Sequence, residues 1–111
     1  MDIRPVADGF AVSGQIQPDD IGEIAAAGYK TVISNRPDSE EGAVPHEEIR
    51  KAAEAAGLEF HYIPVVSSAM TVDNVTEMAT ALENAKQPVF AYCRSGTRST
   101  NLYGLVQQAK R

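Results

Sequence analysis

Short apolar runs alternate along this chain with segments of helical periodicity, and this alternation limits the fold more than any other feature. Residues 31–34, 58–63 and 89–92 are runs typical of buried strands. The segments between them carry apolar residues three and four positions apart, which predicts amphipathic helices. Strands that alternate with helices form a mostly parallel sheet with helices on both faces. The sequence therefore predicts an α/β three-layer sandwich, as a single domain over residues 1–111.

Turn residues and apolar stripes add detail to this prediction. The Asp8-Gly9 pair predicts a hairpin between residues 3–6 and 10–13. Apolar spacing predicts the inner faces of two helices. These faces are Ile49, Ala52, Ala53 and Ala56 in one helix, and Leu102, Leu105, Val106 and Ala109 in the last.

The net negative charge of the chain argues against a nucleic-acid partner. Fifteen Asp and Glu residues outweigh ten Lys and Arg residues, for a formal net charge of −5. Because a negative field repels the phosphate backbone, we expect no nucleic-acid partner. An anionic substrate would need a local basic pocket, and Arg94 and Arg98 are the side chains that could supply one.

The chain holds few ligands for a metal and no partner for a disulfide. It has one cysteine, Cys93, and two histidines, His46 and His61. We therefore expect no internal disulfide, no metal site and no cofactor. The N-terminal residues lack the apolar stretch of a signal peptide, and no run approaches the length of a membrane span. We expect a cytoplasmic protein without a membrane partner, where a free thiol stays reduced.

One loop combines residue types that suit nucleophilic chemistry on an anion. It follows the run 89–92, precedes a helical pattern and has the sequence Cys93-Arg94-Ser95-Gly96-Thr97-Arg98-Ser99. A loop in that position can turn its backbone N–H groups inward at the positive end of a helix, which binds anions and favours a thiolate. Ligands of parallel sheets also bind beyond the carboxyl ends of strands. The fold and the loop therefore predict a site at the same edge.

The residues of this loop have distinct predicted roles. Cys93 is the nucleophile, with a pKa lowered by the helix N-terminus and by neighbouring cations. Gly96 lets successive N–H groups face one point, and Arg98 can hold two oxygens of an oxyanion in its planar fork. Ser99 or Thr97 can donate a hydroxyl hydrogen bond to the sulfur. The predicted anion-binding set is Arg94, Ser95, Gly96, Thr97 and Arg98, with Arg94 pointing outward at the mouth of the pocket.

The loop resembles the signatures of two enzyme families. Cysteine-based phosphatases of the dual-specificity type carry His-Cys-x-x-Gly-x-x-Arg-Ser/Thr, and rhodanese-type sulfurtransferases carry a shorter loop, often Cys-Arg-x-Gly-x-Arg. Residues 31–36 (TVISNR) are similar to the "VINLR" strand of the phosphatases, and residues 57–65 (GLEFHYIPV) are similar to their "GI-Y-HIPV" strand. The resemblance implies the dual-specificity-phosphatase fold.

Nearly the whole chain resembles a bacterial phosphatase-like domain family of about this length. Residues 13–15 (SGQ) and 35–37 (NRP) belong to the resemblance as well. Members of this family occur alone or fused to a metallo-β-lactamase-fold hydrolase of the persulfide dioxygenase kind. The resemblance therefore implies such a dioxygenase as a partner, and the family has been assigned both phosphatase and sulfurtransferase activity.

Two departures from the phosphatase pattern favour sulfur chemistry. Four residues separate Cys93 from Arg98, where the phosphatases have five, and the smaller cradle suits a persulfide sulfur better than a tetrahedral phosphate. Residues 65–70 also lack the aspartate with which the phosphatases protonate the leaving group. Loss of such an acid costs ~10²–10⁴-fold in rate. Sulfur transfer between thiolates needs no acid.

We therefore expect sulfane-sulfur transfer through a Cys93 persulfide, from a donor such as thiosulfate or a low-molecular-weight persulfide to a thiol acceptor. The alternative is a phosphatase that hydrolyses phosphate monoesters, phosphotyrosine-like or small, through a Cys93 phosphocysteine held by Arg98. A third interpretation is a non-catalytic module that binds an anion or a phosphopeptide. Fold alone does not separate these, because one scaffold hosts many chemistries.

Several residues outside the loop are weaker candidates. Arg36 follows a strand end and could flank the same pocket. Asp73 is a later candidate for a general acid, although an acid in the first turn of a helix also suits the helix dipole. The simplest interpretation of Asp38, Glu40 and Glu41 is a solvated surface. The alternative is that they belong to a lid that contributes a catalytic acid.

Overall fold

A five-stranded sheet forms the centre of the computed structural model, which describes residues 1–110. The strands are β1 (Arg4–Ala7), β2 (Phe10–Ser13), β3 (Thr31–Ser34), β4 (Glu59–Tyr62) and β5 (Val89–Tyr92). They lie in the order β1-β2-β5-β3-β4. Strands β2, β5, β3 and β4 are parallel, and β1 pairs antiparallel with β2 at one edge. The predicted hairpin and mostly parallel sheet are confirmed.

A helix follows each of the four parallel strands. These helices are α1 (Ile21–Ala26), which follows a 3-10 turn at Pro18–Asp20, α2 (His46–Ala55), α3 (Val72–Asn84) and α4 (Thr97–Ala109). Helix α4 begins inside the cysteine loop, with Gly96 at its N-cap. The unpaired N–H groups of its first turn therefore lie next to the cysteine. Within residues 1–110, no helix is long and apolar enough to cross a bilayer.

The sheet carries a hydrophobic core on each face, because successive side chains of a strand point to opposite sides. The core beneath α3 and α4 contains Val12, Ile33, Met78, Val89, Ala91, Leu102 and Val106. The core beneath α1 and α2 contains Ile21, Ile24, Val32, Ile49, Ala53, Phe90 and Tyr92. The predicted three-layer α/β sandwich is confirmed.

In two helices, some residues that the sequence predicts on the buried face are exposed. In α2, Ala56 is exposed because the helix ends one residue before it. In α4, Leu102 and Val106 are buried one turn apart. Leu105 therefore lies on the flank of the helix, 40% exposed, and Ala109 is exposed in the last turn.

The strand register brings three chain segments to one edge of the sheet. Ser13, Ser34 and Tyr92 are the aligned last residues of β2, β3 and β5. Burial raises the pKa of Tyr92 to about 12, so its phenol stays protonated beneath this edge. Cys93 follows directly and lies between the segments that leave β2 and β3.

Candidate active site

Cys93 is held at the end of β5 by the segment that follows β2. It is 1% exposed, and its backbone N–H donates to the carbonyl of Ser13 at 3.4 Å. Gly14 permits this approach, because a Cβ there would lie 2.9 Å from the carbonyl oxygen of Arg94. Gln15 donates its backbone N–H to the same oxygen at 3.3 Å. The segment 13–15 therefore forms one wall of the loop.

The loop bends at Gly96, which turns backbone N–H groups toward the sulfur. Gly96 has φ +92°, a left-handed conformation that favours glycine, and its N–H donates to Cys93 Sγ at 3.0 Å. A side chain at this position would meet the guanidinium of Arg4, which donates to the carbonyl of Ser95. The carbonyls of Arg94 and Ser95 therefore both accept hydrogen bonds from outside the loop. Each carbonyl points opposite to the N–H group of the next residue, so the N–H groups of Ser95 and Gly96 are held toward the sulfur.

These hydrogen bonds lower the pKa of Cys93 below its ordinary value. Burial is the largest single influence and acts in the opposite direction, by penalising the charged form. The backbone N–H groups of Ser99, Ser95 and Gly96 outweigh it. The positive end of α4 favours the same ionisation. The loop therefore stabilises Cys93 as a thiolate.

Asn35 fixes the position of Ser99, a role that its place in the NRP segment does not predict. The buried Ser99 hydroxyl donates to Asn35 Oδ1 at 2.8 Å. Asn35 Nδ2 donates to the carbonyl of Ile63 at 3.0 Å, which orients the amide so that its oxygen faces Ser99. The sequence signal was a polar residue directly after a buried strand, where a carboxyl-end site is expected.

Arg98 is buried and is held along one edge of its guanidinium group. Nη1 and Nη2 donate to the two Glu40 carboxylate oxygens at 2.6 and 2.9 Å. Nη1 also donates to the carbonyl of Val65 at 2.8 Å. An arginine has five N–H donors, so Nε–H and one Nη2–H have no acceptor within residues 1–110 and form a side-on fork. That fork is available for an oxyanion.

Glu40 contacts two arginines, so the expectation of a solvated surface is wrong for this residue. Besides its two bonds to Arg98, it accepts from Arg36 Nε at 3.0 Å. The Arg98 hydrogen bond is the largest influence on the pKa of Glu40, and with Arg36 it lowers that pKa against the opposing effect of burial. The same contact raises the pKa of Arg98. Glu40 is therefore an ionised carboxylate that positions Arg98.

Arg36 is buried and contributes to the support of the loop. Its Nη1 donates to Gln15 Oε1 at 3.0 Å and its Nη2 to the carbonyl of Glu41 at 2.8 Å. It lines a hollow of about 490 Å³ together with Glu40, Glu41, Gly42 and Arg94. Arg36 therefore links the wall of the cysteine loop to the segment that carries Glu40.

A polar cleft of about 540 Å³ lies against the cysteine loop. It is lined by Glu40, Ser67, Arg94, Ser95, Thr97, Arg98 and Asn101. The predicted anion-binding residues with side chains are all among them, and Arg94 is exposed there. Ser67 and Asn101 were not predicted; Asn101 lies one helical turn after Arg98. In the part of the chain that the structure describes, no three His, Cys, Asp or Glu side chains are grouped to hold a metal ion.

The structure separates Asp73 from this cleft. Asp73 is exposed in the first turn of α3 and is not among the cleft-lining residues. Thr71 and Asn74 cap each other through reciprocal hydrogen bonds, which starts the helix at that point. The expectation of Asp73 as a pocket residue is therefore corrected, and its position suits the helix dipole.

The chain matches one protein family along almost its whole length. Residues 2–110 match the family described as beta-lactamase hydrolase-like protein, phosphatase-like domain. The chain belongs to this family.

Relatives of this phosphatase-like domain include longer proteins and solved structures. The beta-lactamase hydrolase-like protein of Xylella fastidiosa (strain Temecula1 / ATCC 700964) is 33% identical over 108 residues, which are 96% of this chain and 25% of that protein. The protein of the same description from Agrobacterium fabrum (strain C58 / ATCC 33970) is 35% identical over 97 residues, 86% of this chain and 22% of its own. The domain thus spans about a quarter of the curated relatives that it matches.

A crystal structure of a candidate phosphatase from Neisseria meningitidis z2491 is similar to this domain. It has a TM-score of 0.88 and 35% sequence identity, and the match covers 99% of this chain and 79% of that one. The predicted resemblance to a phosphatase-like family and the dual-specificity-phosphatase-like fold are confirmed. The likeness of the loop to that of rhodanese-type sulfurtransferases stays a prediction.

Alkylation of Cys93 should report its lowered pKa directly, because the phosphatase-like domain has no second cysteine. The rate of reaction with iodoacetamide should rise with pH through a midpoint below the ordinary pKa of a cysteine thiol, about 8.5. Gly96→Ala should raise that midpoint, since the strained loop would withdraw its N–H groups. Gly104→Ala, in open space on α4, is the matched control and should leave the midpoint unchanged. A wild-type midpoint at or above about 8.5 would contradict the thiolate assignment.

Proposed function

We propose that this phosphatase-like domain is a cysteine-dependent hydrolase of phosphate compounds, with Cys93 as nucleophile. The observation that carries the proposal is the Cys93 sulfur within its cradle of N–H groups, with Gly96 N–H at 3.0 Å. Next to it, the open side-on fork of Arg98 can hold two phosphoryl oxygens. The family description and the similarity to a candidate phosphatase at 35% identity support phosphate as the group transferred.

The reaction would proceed through a phosphocysteine. The Cys93 thiolate attacks phosphorus, an S–P bond forms, and the bond from phosphorus to the leaving oxygen breaks with its electron pair on that oxygen. Water then attacks phosphorus and gives up a proton to solvent, the S–P bond breaks, and phosphate and the thiolate are released. The loop N–H groups and Arg98 stabilise the charge on the phosphoryl oxygens in both steps.

A second candidate is sulfane-sulfur transfer, favoured by the four-residue spacing between Cys93 and Arg98. The Cys93 thiolate would attack the outer sulfur of thiosulfate, forming a Cys93 persulfide and releasing sulfite. The thiolate of an acceptor would then attack the terminal sulfur, forming its own persulfide and restoring Cys93. Neither step transfers a proton to a leaving group, and the electrons of the displaced bonds stay on sulfur.

Partner and compartment are proposals that depend on which chemistry operates. For sulfur transfer, the partner would be a metallo-β-lactamase-fold persulfide dioxygenase, which would consume the persulfide product. The longer curated relatives are named beta-lactamase hydrolase-like proteins, which supports a neighbouring domain that resembles a beta-lactamase-type hydrolase. For either chemistry a free thiolate needs a reducing environment, which favours the cytoplasm.

Intact-mass measurement of the reduced protein separates these functions. After incubation with 4-nitrophenyl phosphate and an acid quench, we expect the gain of one phosphoryl group on the wild type and none on Cys93→Ser. A gain of one sulfur atom after incubation with thiosulfate, without phosphoryl gain or phosphate release, would replace the phosphatase proposal with the sulfurtransferase one. No mass gain from either donor and no phosphate release, with vanadate binding retained, would identify a non-catalytic anion-binding module and overturn both.

A further inference from the structure

Among residues 1–110, no side chain that lines the cleft is suited to protonate a leaving group. Among the described residues that line it, Glu40 is the one with a carboxyl group. Both of its oxygens accept hydrogen bonds from Arg98, and Oε1 also accepts one from Arg36. A carboxylate between two guanidinium groups stays ionised at neutral pH and so has no proton to give. The lowered pKa of Glu40 agrees with this geometry.

The other carboxyl groups near the loop are engaged or lie elsewhere. Asp38 accepts from the backbone N–H of His46 at 2.9 Å and contacts its ring nitrogen at 2.7 Å. Glu41 lines the neighbouring hollow rather than the cleft, and Asp73 is exposed on α3. The hydroxyl and amide groups of the cleft are too weakly acidic to replace a carboxylic acid.

We propose, on the basis of the phosphatase function proposed above, that the substrates carry a leaving group that departs as a stable anion, as in phosphoanhydrides. Without a general acid, the bond from phosphorus to an alkoxide leaving group breaks too slowly, because that oxygen must take up a proton as it leaves. In an anhydride the leaving group is itself a phosphate. Because the second pKa of a phosphate group is about 6, this group departs as a stable anion without taking up a proton.

The mouth of the cleft suits such a charged leaving group. Arg94 is exposed and borders both the cleft and the neighbouring hollow. Ser95 and Thr97 present exposed hydroxyls beside it, bonded to each other at 3.2 Å. With Arg98 holding the transferred phosphoryl group, Arg94 lies where a second phosphate can be neutralised. The negative field of the rest of the chain favours the release of the product phosphate.

In the balanced reaction the Cys93 thiolate attacks the terminal phosphorus of the anhydride. The S–P bond forms, the bridging P–O bond breaks, and its electron pair remains on the departing phosphate. Water then hydrolyses the phosphocysteine as described above, and its proton goes to solvent. No residue of the cleft has to donate a proton in either step.

A series of phosphate donors tests the inference through kcat/KM. The good leaving groups are those of pyrophosphate, acetyl phosphate and 2,4-dinitrophenyl phosphate, and the poor ones those of phenyl phosphate and glycerol 3-phosphate. We expect 2,4-dinitrophenyl phosphate to exceed phenyl phosphate by ~10³-fold or more, and glycerol 3-phosphate to show no Cys93-dependent turnover. Pyrophosphate should be hydrolysed, and more weakly by Arg94→Gln.

Glu40→Gln tests whether the Glu40 carboxyl group acts as a general acid. If Glu40 only positions Arg98, the variant slows all donors by one common factor, and the ratio of good to poor donors stays within ~3-fold of wild type. Glu41→Gln is the matched neighbour and should leave that ratio unchanged. A selective loss of turnover of the poor donors in Glu40→Gln, or a wild-type ratio of good to poor donors below ~10-fold, overturns this inference but not the phosphatase proposal. Absence of Cys93-dependent turnover for every donor overturns the phosphatase proposal itself.

Discussion

Replacing Cys93 by serine should lower kcat/KM for 4-nitrophenyl phosphate by ~10⁴-fold or more while leaving the fold intact. The N–H groups of the loop lower the pKa of a thiol enough to ionise it, but a serine hydroxyl ionises many pH units higher. A serine nucleophile needs an adjacent general base, and both histidines of the chain lie elsewhere. His46 is in α2, next to Asp38, and His61 is in β4.

The measurement is a steady-state assay of both proteins with vanadate titrations beside it. The serine side chain fits the 1%-exposed position of Cys93, so the melting temperature should change little. Vanadate should still bind the variant, because Gly96, Ser99 and Arg98 remain in place. Retention of more than ~1% of wild-type activity by Cys93→Ser would show that another group attacks phosphorus.

The sequence predicted the fold and the cysteine loop because both depend on local patterns. Strand runs such as 31–34 and 89–92 have β-branched and apolar residues that pack in a parallel sheet whatever the details of their neighbours. The loop is contiguous, so Cys93, Gly96 and Arg98 are identified from one stretch of chain. The errors at Ala56 and Leu105 arose because apolar spacing does not show where a helix ends or how far its buried stripe extends.

The supporting residues of the site could not be predicted in the same way. Glu40 reaches Arg98 across 58 positions and Asn35 reaches Ser99 across 64, so neither contact leaves a periodic signal. Charge was misleading for Glu40, because an acidic residue in a polar segment is most often solvated. Its pairing with Arg98 became visible only once the strand order placed the segments after β3 and β5 side by side.

Arg98→Lys should lower kcat/KM by ~10²–10³-fold and weaken vanadate inhibition, whereas Arg94→Lys should stay within ~3-fold of wild type. The Arg98 guanidinium group has two roles in the proposed mechanism, one structural and one in binding the anion. Nη1 and one N–H of Nη2 donate to Glu40 and Val65. Nε–H and the other Nη2–H are the donors that the proposed mechanism assigns to the phosphoryl oxygens. A lysine ammonium keeps the charge but has no planar fork, so it cannot fill both roles.

Stability measurements separate the two functions of Arg98. Losing the contacts to Glu40 and Val65 should lower the free energy of unfolding by about 1–3 kcal/mol, whether or not Arg98 binds substrate. A purely structural Arg98 would show that loss with unchanged vanadate inhibition. A double-mutant cycle of Arg98→Lys with Glu40→Gln should show coupling in stability, since Glu40 touches Arg98 directly. The loss of vanadate affinity should persist in the double variant, because Glu40 contacts Nη1 and one N–H of Nη2 and leaves Nε–H and the other Nη2–H, the proposed anion donors, untouched.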